Sequence, residues 1–313
     1  ERPQHLLHQL HEKHEFDFQR VGRGFELMLW GFFKKLVVAD RLALLVNTVY
    51  GDVGSYTGIP LILATIFFAF QIYCDFSGYS DIAIGSAKIL GIDLMENFRR
   101  PYFSRSISEF WKRWHISLSS WFRDYLYIPL GGNRVSKSRI YFNLFITFLI
   151  SGLWHGANWT FLVWGALHGF YVMIGKASFE FRKKLADKFR LSKFPKIHTI
   201  FQIIITFVLV DIAWIFFRAK TLSDAIYVLT HLFSGLTFNL LEVNLGLDFP
   251  ELIIAIVSIF FIIIAHLFQE KKGVEPWLSD KPAWLRGIIY LILLFIILLF
   301  GVFKSMAFIY FQF

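Results

Sequence analysis

Three apolar runs set the terms for any fold of this chain. Phe201–Val210 continues to Phe217, Leu252–Ile264 continues to Phe268, and Ile288–Phe303 is almost unbroken. Each approaches the ~20 residues needed to cross a bilayer as a helix. A soluble domain of 313 residues that is 56% hydrophobic, with 38 Phe, has no core large enough to hide that much apolar surface. An outer-membrane barrel would show alternating segments of about ten residues instead. The expected class is therefore all-α: a polytopic integral membrane protein, with 1–313 as a single transmembrane domain.

The formal net charge is +9. In a soluble protein that balance would point toward nucleic acid. In a membrane protein, basic residues gather in cytoplasmic loops, and no nucleic-acid partner is expected. One cysteine, Cys74, allows no internal disulfide. No secretory signal peptide is visible. The chain opens on Glu1 and a charged amphipathic stretch to Arg23, so an N-terminally truncated sequence is expected. His5, His8, His11 and His14 recur every third residue there and drift around a helix. They read as a solvated face beside the membrane, and no metal site is expected.

Residues 25–50 read as an apolar helix interrupted by Lys34, Lys35, Asp40 and Arg41. That pattern suits a helix end at the interface with long basic side chains snorkelling to water. Residues 59–74 form a span. "CDFSGYSDIAIGSAKILG", residues 74–91, sets small residues and two acids, Asp75 and Asp81, in an apolar frame. Small residues let membrane helices approach closely. Packing or pairing with Arg is expected for Asp75, Asp81 and Asp124.

Residues 92–139 form an amphipathic, basic segment rather than a simple span. Ser106 followed by Glu109 reads as a helix cap with its capping box. Trp111, Trp114, Leu118 and Phe122 recur at helical spacing, and Pro129 with Gly131–Gly132 ends the segment. Residues 140–176 make a short apolar hairpin broken at "HGAN". Residues 176–196 hold eight Lys or Arg against Glu180 and Asp187. By the positive-inside rule, 92–139, 176–196 and 269–286 are cytoplasmic, while 218–249 and the C-terminus are outside.

The hairpin poses the chemical question. "ISGLWHGANWTFLVWGALHG", residues 150–169, keeps His155, Asn158 and His168 in a segment fit for lipid. Polar groups in hydrocarbon are costly, so these residues face a protein-lined cavity or do chemistry. A neutral imidazole can accept a proton from a hydroxyl near pH 7. His155, and His115 in the amphipathic segment, are the candidate bases, with Trp154, Asn158 and Trp159 orienting His155 or lining a tunnel. Packing roles for each histidine, and a transporter path using Asp75, Asp81 and His155, stay open on the residues alone. Haem is disfavoured: His155 and His168 lie roughly 220° apart on one ideal helix.

"FWKRWHISLSSWFRDYLYIPLGGNR" at 110–134, "GLWHGANWTFLVWGALHG" at 152–169 and "CDFSGYSDIAIG" at 74–85 occur at spacings that resemble the membrane-bound O-acyltransferase family. The likeness is nearest to its bacterial branch, the alginate O-acetyltransferase membrane subunits. The resemblance implies a ring of tilted helices around a central tunnel in a bacterial cytoplasmic (inner) membrane. It implies that His155 is the catalytic histidine and His115 the second active-site position. It implies no bound cofactor, with acetyl-CoA or another acyl thioester as donor substrate. A periplasmic or extracellular acetyltransferase partner protein would finish transfer to a polysaccharide acceptor such as alginate. Trp111, Trp114, Trp154, Asn158, Arg113 and Arg123 are then expected along the tunnel or at the donor. D-alanyl transfer to teichoic acid is the alternative within the family. Transport of a lipid or polar solute is the alternative outside it.

Overall fold

The computed structural model describes residues 1–236, 245–269, 282–304 and 308–309, and their side chains apart from those of 192, 269 and 283. The described residues are mostly helical, with no strand among them. The loop assignments at 237–244 and most of 269–286 lie outside the described residues. Among the described residues, three helices are long and apolar enough to cross a membrane, which matches the reading of a polytopic membrane protein. The chain divides into two compact units, 1–96 with 235–313, and 97–234.

In the first unit, α1 (Pro3–His11) is followed by α2 (Phe18–Phe32). Asp17 caps α2 by accepting from the Gln19 and Arg20 amides. A π-helical turn, Phe33–Ala39, joins α2 to α3 (Asp40–Gly51) without a break. The expected span at 59–74 does not stop there. It continues through the small-residue stretch as one helix, α4 (Ile59–Ile89). The glycines explain how α4 is buried: a Cβ on Gly31 would meet Gly78 O at 2.6 Å, and one on Gly78 would meet Gly31 O at 2.8 Å. Backbone therefore lies against backbone where α2 crosses α4.

Lys34 and Lys35 do not snorkel. Lys34 is 3% exposed and pairs with Asp81 at 2.6 Å, and its Nζ donates to Ser77 Oγ at 2.9 Å. Lys35 bridges Asp40 and Asp75, both at 2.7 Å. The π-helical turn sets these two adjacent lysines against α4, so Asp75 and Asp81 pair with lysine rather than arginine. Asp75 also accepts from the Ile309 amide at 2.7 Å, and Arg41 donates to Phe300 O at 2.8 Å. The other two long helices of this unit, α12 (Phe249–Gln269) and α13 (Ala283–Phe300), present exposed apolar faces, including Phe260 and Leu299.

In the second unit, the amphipathic segment is not one helix. It comprises α5 (Ile107–Phe110), α6 (Ile116–Phe122) and a π-helical turn at Arg123–Tyr127. Ser106 caps α5 by accepting from the Glu109 amide, as its spacing predicts. The reciprocal half of the box differs: the Glu109 carboxylate accepts from the Arg105 amide, one residue before the cap. The hairpin is α7 (Lys137–His155) and α8 (Trp159–Ala177). A Cβ on Gly152 would run into Phe161 O, and one on Gly165 into Phe148 O. Close approach of α7 and α8 therefore requires glycine at both places. The basic helix α9 (Phe179–Lys188), the long apolar α10 (Pro195–Arg218) and α11 (Leu222–His231) complete the unit.

Candidate active site

The two candidate bases stand at opposite kinds of helix end. His155 closes α7, and the chain leaves it through Gly156, with φ 161° and ψ 156°. His115 opens α6 and is left-handed, with φ 42° and ψ 57°. Few non-glycine residues adopt that conformation, and it costs roughly 1–2 kcal/mol. Asn97 holds the corner in place. Its carbonyl accepts from the Ile116 amide at 3.0 Å, and its Oδ1 accepts from the Ser117 amide at 3.1 Å and the Ser117 hydroxyl at 2.6 Å. Ser117 Oγ also lies 3.3 Å from His115 Nδ1. Because the corner interrupts the helix, Trp111 and Trp114 fall in a turn rather than on a continuous stripe.

Burial first, and the neighbouring His155 second, together push the His115 imidazole down to about 3. His115 therefore stays neutral across the physiological range.

Trp164 is the hub of the site, and it is 1% exposed. Its ring lies 5.0 Å from His155, 5.0 Å from His168 and 5.8 Å from Trp111. Trp214 and Phe217 of α10 close the cluster, with Phe217 5.1 Å from His155. Trp114 belongs to an adjoining stack with Phe98, Tyr102, Phe110 and Trp214. The helical-wheel separation of His155 from His168 does not apply, because the chain reverses at Gly156 and places them on two helices.

The remaining candidates sit at the edges. Trp154 packs edge-on to His155 at 5.1 Å but is half-exposed, and Trp159 is largely exposed. Asn158 caps α8: its Oδ1 accepts from the Thr160 amide at 3.1 Å and its Nδ2 donates to Lys220 O at 3.2 Å. Arg113 pairs with Glu109, and the exposed Arg123 forms a two-pronged pair with Asp124 at 2.7 and 3.2 Å.

A cavity of about 380 Å³ opens between α5, α6 and α7. Trp111, Phe122 and Phe148 give it an apolar wall, and Lys112 and Arg123 give it positive charge. Neither candidate base is among its lining residues. It adjoins both, through Ile116, the chain neighbour of His115, and Ser151, one helical turn before His155.

Residues 11–224 match the family profile described as MBOAT, membrane-bound O-acyltransferase family. The chain belongs to the membrane-bound O-acyltransferase family. It is 40% identical over 264 residues to a probable alginate O-acetylase of Pseudomonas aeruginosa, covering 83% of this chain and 48% of that protein. It is 41% identical over 213 residues to a peptidoglycan O-acetyltransferase of Helicobacter pylori, covering 68% and 39%. A teichoic acid D-alanyltransferase of Bacillus subtilis is 32% identical over 162 residues, covering 49% and 40%. The chain spans about half the length of the alginate O-acetylases it matches. The matched region contains both histidines, the corner at His115 and the whole α7–α8 hairpin.

Sequence reasoning missed Asn97, Trp164, Trp214 and Phe217. Trp164 had a signal, since it lies four residues before His168 and so on the same helix face. The others had none, because their roles depend on long-range packing.

Proposed function

We propose that the protein is a membrane O-acyltransferase that moves an acetyl group from a cytosolic thioester, acetyl-CoA, for O-acetylation of an exopolysaccharide such as alginate. The observation that carries this reading is that His155 stands edge-on to the buried Trp164, close enough to His115 to be felt electrostatically, beside a basic, apolar-walled cavity. In this reading the helices form a tilted ring around a tunnel, in a bacterial cytoplasmic membrane.

His155 takes the proton from an acceptor hydroxyl as that oxygen attacks the thioester carbonyl. The new C–O bond forms, the C–S bond breaks, and the leaving thiolate receives the proton that His155 holds. Neutral His115 can donate an N–H to the carbonyl oxygen as negative charge develops on it. Lys112 and Arg123 attract the donor's phosphates. The wall of Trp and Phe keeps water from the thioester. The acceptor hydroxyl belongs to a periplasmic or extracellular partner, which passes the group to the polysaccharide. Likeness to the D-alanyltransferase supports a second reading, in which a D-alanyl thioester is the donor and teichoic acid the acceptor.

The test is transfer of radiolabelled acetyl from acetyl-CoA in membranes holding the full-length protein and its partner. Label should reach partner and polysaccharide in wild type and vanish in His155→Ala that is present at normal level. Full transfer by His155→Ala would overturn the mechanism.

A further inference from the structure

His168 lies in the middle of α8 and is completely buried. Its Nδ1 accepts a hydrogen bond from Trp111 Nε1 at 3.2 Å. An indole N–H can only donate, so Nδ1 carries the lone pair and the neutral ring's proton is on Nε2. Nε2 has no hydrogen-bond partner among the described residues. A residue serving only to fill space here would do so at less cost as Phe or Leu, because a buried N–H without an acceptor is unfavourable. The group that gains from the imidazole is Trp111.

Trp111 follows the four-residue helix α5, in the turn that leads to His115, where no regular helix fixes its ring. Four ring contacts hold it instead, the first an edge-on contact with its chain neighbour Phe110 at 5.5 Å. His168 accepts its N–H and stands edge-on at 4.9 Å. Phe148 lies at 5.2 Å and Trp164 at 5.8 Å. The apolar contacts leave rotation of the indole open, whereas the single polar contact selects one orientation. That ring is part of the cavity wall, and Trp164 connects it to His155.

We propose that His168 is a positioning residue: it orients Trp111 so that the cavity wall presents the thioester to His155. The role rests on the acyltransferase reading above. His168 touches neither proton nor acyl group, and it acts through the indole alone.

The variants are His168→Phe, which keeps a ring and removes the acceptor, and His168→Asn, whose Oδ1 can accept near the Nδ1 position. Trp111→Phe removes the donor. In the full-length protein with its partner, His168→Phe should lower kcat about tenfold and raise the donor KM at least threefold. His168→Asn should recover most of both, and Trp111→Phe/His168→Phe should be no worse than His168→Phe. Simple loss of folded protein would lower the apparent kcat and leave KM unmoved. A second readout needs no turnover: with ¹⁵N-labelled tryptophan, the indole signal missing from Trp111→Phe should shift in His168→Phe and return in His168→Asn. An unmoved signal, an unmoved KM, or an Asn variant as poor as Phe would overturn the role while leaving the acyltransferase reading intact. Wild-type protein that transfers no acetyl would overturn that reading and this role with it, whatever the indole signal does.

Discussion

The indole of Trp164 meets the imidazole of His155 edge to face, with ring centroids 5.0 Å apart and planes at 89°. His155 is the last residue of its helix, and its ring needs support from other elements to hold one orientation. Trp164 and Phe217 supply that support from α8 and α10. Trp164→Ala should leave a large void and lower acetyl transfer at least tenfold, because small displacements of a reacting group have large kinetic effects. Trp164→Phe should retain most of the activity. Labelled-acetyl transfer, normalised to protein in the membrane, checks both. Equal activity in wild type and Trp164→Ala would separate His155 from its supposed support.

General-base removal gives a sharper magnitude. A positioned base contributes typically 10²–10⁴-fold, so His155→Gln should retain about 1% of the rate or less. His115→Asn keeps an N–H donor and should lose less than His115→Ala. Single-turnover rates with saturating acetyl-CoA distinguish these variants. His155→Gln with a tenth of the wild-type rate would point to a different base.

The backbone at His115 makes a separate prediction about stability. At an ordinary position, alanine is more stable than glycine. At φ 42° the order should reverse, because glycine alone adopts the left-handed region without a Cβ penalty. Both variants lose the imidazole, so the comparison isolates the corner. His115→Gly should exceed His115→Ala by about 1 kcal/mol, read as a higher Tm in detergent. An alanine variant equal to or better than glycine would show that the corner relaxes.

The residues proposed for this site were singled out in the sequence unevenly, and the reasons are physical. A histidine kept in an apolar run must have a use, which marked His155 as a candidate, and the break at "HGAN" marked the hairpin that α7 and α8 form. The corner at His115 was not legible. Trp111, Trp114, Leu118 and Phe122 share a helical period, but tertiary contacts from Asn97 override that local pattern. The lysines at 34 and 35 misled for a related reason. A charge in an apolar helix reads as a route to water unless its partner is known, and Asp75 and Asp81 lie some forty residues away.

The low proton affinity of His115 fixes its behaviour with pH. Its folded value is lowered, chiefly by burial, so it remains neutral as pH falls through the ordinary imidazole range near 6.5. The acid limb of kcat should therefore have the same midpoint in wild type and in His115→Asn. A midpoint near 6.5 that disappears in His115→Asn would mean that His115 is solvated in the working enzyme.

The buried pair between Lys34 and Asp81 should matter through desolvation. Removing one partner leaves a charge without compensation in a dry place, at a cost of about 3–5 kcal/mol. Asp81→Asn should thus lower Tm sharply and reduce the amount of protein in the membrane. Lys34→Met with Asp81→Asn removes both charges and should recover much of the loss, because Ser77 and the surrounding aromatic rings then face neutral groups. Lys34→Met alone should be less harmful than Asp81→Asn, since the orphaned Asp81 carboxylate is 19% exposed whereas the orphaned Lys34 ammonium is 3% exposed. Thermal melts of the three purified variants decide the matter. Additive losses in the double variant would show that each charge serves a separate partner, and that the 2.6 Å contact contributes little to stability.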